Sequence, residues 1–290
     1  MMLDKVSKIG RQAAMAAGAV MRLNYLQPHR ITMKGAIDPV TETDLQAQEI
    51  IIALIRQHFP DHGFLAEEER MGQESGAGGT GFPACAKTGG AGVPPSGAGV
   101  SPADLSPPRW IIDPLDGTVN FVHDFPMFCV SIAFEAEGRL EYGVIYDPLR
   151  DELFEAKRGG GASLNGRPIR VSTTDRLDRA LVATGFPYDI RERLPETLGR
   201  LGRILGVVQG VRRAGSAALD MCYVACGRFD GFWEENLKPW DTAAGLLLIG
   251  EAGGRITTFS GRDYDFYAPN IMASNGSLHD RILSLLNEKG

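Results

Sequence analysis

Cysteine is scarce: Cys85, Cys129, Cys222 and Cys226 are the only four in 290 residues. That is too few for a disulfide framework at this length, so a reducing cytoplasm is expected. Cys222 and Cys226 stand four apart in a helical pattern. No second Cys/His pair is spaced to complete a zinc site with them, and packing is the plainer reading. Long apolar runs are lacking too. The opening stretch, MMLDKVSKIGRQAAMAAGAVMRL, is interrupted by charges and shows neither a signal peptide nor a membrane span. It reads as an amphipathic helix with Leu3, Val6, Ile9, Ala13, Ala17 and Val20 near one face. Basic excess is absent: 30 Lys+Arg against 36 Asp+Glu leave a net charge of −6. This weakens a nucleic-acid reading, because phosphate backbones recruit Lys and Arg. No internal repeat shows.

What remains is an ordinary globular composition, 43% apolar and 23% charged. The pattern predicts a second helix over about 43–58, a short strand at 64–66, and strands at 109–113, 128–135, 140–147 and 152–158. Turns are expected at Glu137-Gly138, Asp147-Pro148 and Asn165-Gly166. Strands and helices then alternate: strands near 181–184, 211–214, 230–234, 255–259 and 271–274, with helices near 191–206, 216–226, 240–252 and from 278. Such mixing predicts an α/β (mixed α+β) layered fold. Residues 72–108 hold ten Gly and six Pro and read as a flexible insertion. The expected division is an N-terminal α+β part, 1–180, and a C-terminal α/β part, 181–290.

Chemistry concentrates in RWIIDPLDGTVNF, residues 109–121. Asp113 and Asp116 end an apolar strand, where like charges repel. A hard cation such as Mg2+ between them would cancel that repulsion, with the Leu115 carbonyl as a further oxygen ligand. Gly117-Thr118 then opens a helical turn whose free amides suit a phosphate. Asp44, Glu67 and Asp241 also stand at element ends. Together these suggest metal-assisted hydrolysis of a phosphate ester. Each feature has a bland reading of its own. Asp-Pro and Asp-Gly are turn dipeptides. Asp44 completes a capping box with Thr41. Glu67-Glu68-Glu69 is a solvated charge run, and Asp241 serves a helix dipole. Periodicity cannot bring the segments together.

A resemblance does. Asp38-Pro39-Val40-Thr41-Glu42-Thr43-Asp44 resembles D-x-V-T-x-x-D. Phe64-Leu65-Ala66-Glu67-Glu68 resembles F-x-G-E-E. Trp110 to Phe121 matches W-I-I-D-P-[IL]-D-G-T-x-N-F. Gly215-Ser216-Ala217-Ala218 and Trp240-Asp241-Thr242-Ala243-Ala244-Gly245 match G-[ST]-A-A and W-D-x-A-[AG]-[GA]. These five ordered motifs resemble the inositol monophosphatase family.

The resemblance implies a layered α-β-α-β-α sandwich, a homodimer, and a Mg2+-dependent, often lithium-sensitive phosphatase using two to three ions. It implies Glu67, Asp113 and the Leu115 carbonyl around one ion, and Asp113, Asp116 and Asp241 around another. Thr118 and Asp44 would activate water near Glu67. Phosphate would rest on Gly117 and Thr118. Asp116, Ala217, Glu234 and Asp241 would meet the substrate, and Lys34 would lie in the mobile loop over the metals. Three departures stand out: Ala66 for the family's Gly, Ser216 for its common Thr, and the insertion after Met71.

The expected substrate is a small phosphate monoester, inositol 1-phosphate or a similar polyol phosphate. Glu234 suits hydroxyls and would repel a second phosphate. Alternatives in the same superfamily are fructose 1,6-bisphosphate, adenosine 3′,5′-bisphosphate and histidinol phosphate. An alternative from another class is a regulatory protein that binds the transcription machinery.

Overall fold

The structure, a computed structural model, describes residues 2–34, 39–68, 107–187 and 189–288. Nearly all of the Gly/Pro-rich stretch expected at 72–108, with Cys85, lies outside the described residues, as does Asp38. Helix α1 (Met2–Asn24) leads into a short hairpin, β1 (Ile31–Met33) and β2 (Pro39–Thr41), and then α2 (Glu42–His58). β3 (Gly63–Ala66) pairs in parallel with β4 (Arg109–Asp116). The one-turn helix α3 (Thr118–Val122) follows. β5 (Cys129–Ala136), β6 (Arg139–Asp147), β7 (Glu152–Lys157), β8 (Gly161–Leu164) and β9 (Arg167–Pro168) then complete an antiparallel meander, making a seven-stranded sheet. Its turns are those the sequence announces. Glu137, Gly138, Asn165 and Gly166 all have positive φ, as tight hairpins require.

The second half runs β10 (Leu181–Thr184), α4 (Ile190–Leu205), β11 (Gly210–Arg212), α5 (Ala217–Ala225), β12 (Gly231–Glu235), α6 (Pro239–Glu251), β13 (Arg255–Thr257), β14 (Asn270–Ser274) and α7 (His279–Asn287). Its five-stranded sheet has the order β11-β10-β12-β14-β13, with β10 parallel to β11 and β12 and the other pairs antiparallel.

Alternation along the strands builds the layers. Trp110 and Ile112 face α1 and α2 with Val130, Ile132, Phe134, Tyr142 and Val144. Ile111 points to the opposite face, where Cys129, Ala133, Ile145 and Phe154 meet α5 and α6. That same cluster continues to Phe232, Ile271 and Ala273 of the second sheet. Its other face packs Val182, Trp233 and Met272 on α4 and α7 through Ile204 and Ile282. The order is therefore helix, sheet, helix, sheet, helix, as the resemblance implied. Small residues set the spacing. A Cβ on Gly10 would lie 2.6 Å from the Tyr142 ring, and one on Gly18 2.5 Å from that of Tyr146. The face of α1 closes with Met21 buried and Val20 only half-buried, one position on from the expected stripe.

Two differences from the sequence reading matter for the site. β4 does not stop at Asp113; it runs on to Asp116 with a register shift against β5 between the two. Such a bulge re-aims side chains at a strand end. The hairpin β1–β2 was not expected from the sequence. It carries Lys34 at its turn.

Candidate active site

Most of the singled-out side chains converge where β3, β4 and β12 end and α3, α5 and α6 begin. Glu67, Asp113, Leu115, Asp116, Gly117, Thr118, Ala217, Glu234 and Asp241 all line one cavity of about 250 Å³. That size suits a small polar molecule. Asp44 joins the cavity through the lining Thr118, and Lys34 joins it through an ion pair with the lining Glu67.

Asp113 is buried, and its Oδ1 accepts the Leu115 amide at 3.0 Å. Asp116 is tied across the chain: its Oδ2 accepts the Ser216 hydroxyl and, at 2.8 Å, the Ala218 amide at the start of α5. Ser216 also caps α5 by accepting the Leu219 amide. Its hydroxyl therefore serves both the helix and Asp116, two roles that a Thr hydroxyl could also fill. Asp241 stands in the first turn of α6, and its Oδ2 accepts the Lys238 amide at 2.6 Å. Gly117 has φ +97°, and a Cβ there would stand 2.8 Å from the Met127 carbonyl. Only glycine fits that turn.

Asp44 fulfils its bland reading and reaches the site as well. It accepts the amide and hydroxyl of Thr41 at 2.9 and 2.6 Å, closing the capping box of α2. Its other oxygen lies 3.0 Å from the Thr118 hydroxyl, which is also 3.0 Å from the Leu115 carbonyl. One proton can serve only one of these acceptors at a time. Glu67 is held by its backbone, whose amide donates to the Ile112 carbonyl at 3.0 Å. The Lys34 ammonium lies 3.1 Å from its Oε1 and pairs closely with Glu68. Burial works against that ammonium's charge, but the two carboxylates outweigh it and raise its pKa.

Burial pushes up the carboxyl pKa values in the cavity, and like-charged neighbours add to the rise at Glu67, Asp113 and Asp241. Glu67 rises to about 7. Asp113 is raised by burial and then by Glu67, Asp116 and Asp241. Asp241 is raised by burial and by Asp116, Glu67 and Glu234, against the Lys238 amide. Burial raises Asp116 as well, opposed by its Ser216, Ala218 and Ala217 donors. Among the described residues no three His, Cys, Asp or Glu side chains close into a ready metal cage. These carboxylates rest on amides and on an ammonium. The donor set still fits a hard divalent cation: it is all oxygen, concentrated and at least half-buried, and it already attracts a lysine.

The same cavity is also lined by Glu234, Asp220, Arg213, Phe186 and Gly185. Burial pushes Glu234 up to about 8, with Arg213 opposing and Asp116 adding to the rise. Gly185 makes room for it, since a Cβ there would fall 2.1 Å from the Glu234 carboxyl. Sequence reasoning missed Asp220, an unremarked acid inside a buried helix. It also missed Asn120, whose Nδ2 lies 2.7 Å from the Met127 carbonyl and 2.8 Å from that of Ala214. Asn120 thus ties the loop before α5 to the turn after β4. Its place in the 109–121 motif was the available signal.

Fold and site define a phosphatase of the layered kind, built around clustered carboxylates and helix starts. The chain belongs to the inositol monophosphatase family, a family of divalent-metal phosphatases, whose model matches residues 2–290. It is 40% identical over 281 residues to an inositol-1-monophosphatase of Synechocystis, covering 96% of this chain and 88% of that one. It is 38% identical over 283 residues to the Nus factor SuhB of Escherichia coli, covering 97% and 95%. Among solved structures it resembles the extragenic suppressor protein suhB of Bartonella henselae. That match has a TM-score of 0.84 at 38% identity and covers 99% of this chain and 100% of the other.

Proposed function

We propose that this chain is a Mg2+-dependent phosphomonoesterase acting on inositol 1-phosphate or a similar polyol monophosphate. One observation carries the reading: four carboxylates from β3, β4 and α6 meet the first amides of α3 and α5 in a single cavity. Glu67, Asp113, Asp116, Asp241 and the Leu115 carbonyl would hold two to three Mg2+ ions. Bound there, the ions would offset charge on the phosphoryl oxygens and acidify water. The protein's own residues do the rest. Glu67 and Thr118 orient the attacking water. Thr118 accepts a proton as its own passes to Asp44, across the 3.0 Å contact. Gly117 and Thr118 amides receive the phosphate. Asp116, the Ala217 amide, Glu234 and Asp241 meet the alcohol half. On this reading lithium inhibits, the protein works as a cytoplasmic homodimer, and residues 1–180 and 181–290 form its two parts.

The test is phosphate release from myo-inositol 1-phosphate, fructose 1,6-bisphosphate and adenosine 3′,5′-bisphosphate, with Mg2+ and with chelator. Mg2+-dependent turnover of the first, well above the others, is expected. Preference for a bisphosphate would overturn the role given to Glu234. The Nus factor relatives motivate a second reading, a transcription partner. Asp113→Asn separates the two: catalysis should vanish, whereas a pure binding role would survive.

A further inference from the structure

Asp220 lies one turn into α5. It is 1% exposed, it lines the cavity, and its Oδ1 has no hydrogen-bond partner among the described residues. A buried carboxyl oxygen without a donor is costly to keep. Helix formation does not call for it, because Ser216 already caps α5. The nearby charges are Glu234 and Asp116, which repel it, and Arg213, which attracts it. The Arg213 guanidinium packs over Phe186, 5.4 Å from the centroid of that ring. The protein thus leaves open an acceptor it has gone to the length of burying. Glu234, from β12, lines the same cavity close enough for the two carboxyls to repel.

We propose that Asp220 is a specificity-determining residue which, with Glu234, accepts hydrogen bonds from two hydroxyls of the substrate's alcohol half. This rests on the phosphatase reading above and narrows it to esters of neutral polyols. Two carboxyls suit neighbouring hydroxyls, each a donor, and disfavour an alcohol half that carries a second phosphate. An alcohol half without hydroxyls leaves Asp220 as unsatisfied as before and gains nothing from it.

The test compares Asp220→Ala and Asp220→Asn with the unaltered protein on myo-inositol 1-phosphate and 4-nitrophenyl phosphate. The readout is the ratio of the two kcat/KM values. D220A should lower that ratio about tenfold or more through KM for the inositol ester. D220N, which keeps an acceptor oxygen, should stay within roughly fivefold. Equal losses on both esters, or an unchanged ratio, overturn the proposal. Calorimetric titration of myo-inositol 1-phosphate and inorganic phosphate, with Ca2+ present, gives the same contrast without turnover. If the unaltered protein binds the ester but does not hydrolyse it, the phosphatase reading falls, and the binding contrast alone decides Asp220. If it binds neither, both readings fall.

Discussion

Replacing Gly143 with Ala tests how the layers hold the site. Gly143 lies in β6 against α6. A Cβ there would stand 3.0 Å from the Ala244 carbonyl oxygen and 3.1 Å from the Ala244 Cα. Carbon atoms settle at about 3.5–4.0 Å, so relief needs roughly half an ångström of movement. The obstructing atoms are helix backbone, which cannot swing aside as a side chain can. α6 must move off the sheet, at a cost of about 1–3 kcal/mol. For a chain this size the melting temperature should fall by roughly 2–5 °C. Asp241 stands three residues before Ala244 on the same rigid helix, about 4.5 Å along its axis. Metal ligands tolerate only about 0.2 Å of misplacement, so the Mg2+ concentration for half-maximal activity should rise several-fold. Gly250→Ala is the control, because a Cβ at that α6 position meets nothing within 4 Å. It should leave stability unchanged or raise it by about 0.5–1 kcal/mol. Thermal melts and Mg2+ titrations of both variants decide the matter. A G143A protein with normal melting and normal Mg2+ demand refutes the reasoning.

Gly185→Ala should force the Glu234 carboxyl out of its place and lower kcat/KM for inositol 1-phosphate by about tenfold; unchanged kinetics would mean Glu234 is not read by substrate. Lys34→Met should tighten Ca2+ or Mg2+ binding roughly three- to tenfold, since the ammonium rests on Glu67; calorimetry showing weaker binding would contradict this. His279 offers a pH test. Burial, with Arg255 adding to it, lowers its pKa to about 4. Its Nδ1 and Nε2 face the Ser274 and Thr257 hydroxyls at 2.9 Å each, a setting for neutral imidazole. The unfolded chain binds this proton more readily, so the stabilisation is present above the ordinary histidine value of 6.5. Stability should fall by about 1–2 kcal/mol as pH drops from there towards 4. Urea midpoints for the unaltered protein and His279→Gln should show that slope shrink; identical slopes would assign the acid sensitivity elsewhere.

Much of this architecture was legible in the chain. β10 runs over Leu181–Thr184 as expected, and most other strands differ from expectation by a residue or two at their ends. Apolar runs sufficed because the two large sheets have helices on both faces, so side chains on both sides of a strand are buried. The hairpin β1–β2 escaped because β1 is exposed throughout and only three residues long. Asp220 escaped for the opposite reason. Every residue of α5 is buried, so no polar stripe set this acid apart. The gathering of the site was not local information at all. Asp116 meets Ser216 a hundred residues later, and Thr118 meets Asp44 seventy-four residues earlier. Only the resemblance joined those segments before the fold did.

The clamp on Glu67 and Glu68 has a consequence for the chain's tolerance of change. The Glu67 amide is held on β4. The Glu68 amide donates to the Gln48 side chain at 3.1 Å, and Gln48 Nε2 donates back to the Glu68 carbonyl at 2.6 Å. Both anchors come before the chain leaves this region, and the parallel pairing of β3 with β4 fixes where it returns. The length of the connection between them is thereby uncoupled from the position of Glu67. A shift arriving from beyond Glu68 would have to break the Gln48 pair before it could move Glu67. Gln48 thus works as a strain relief: a pull along the chain is taken up at Glu68 before it reaches Glu67.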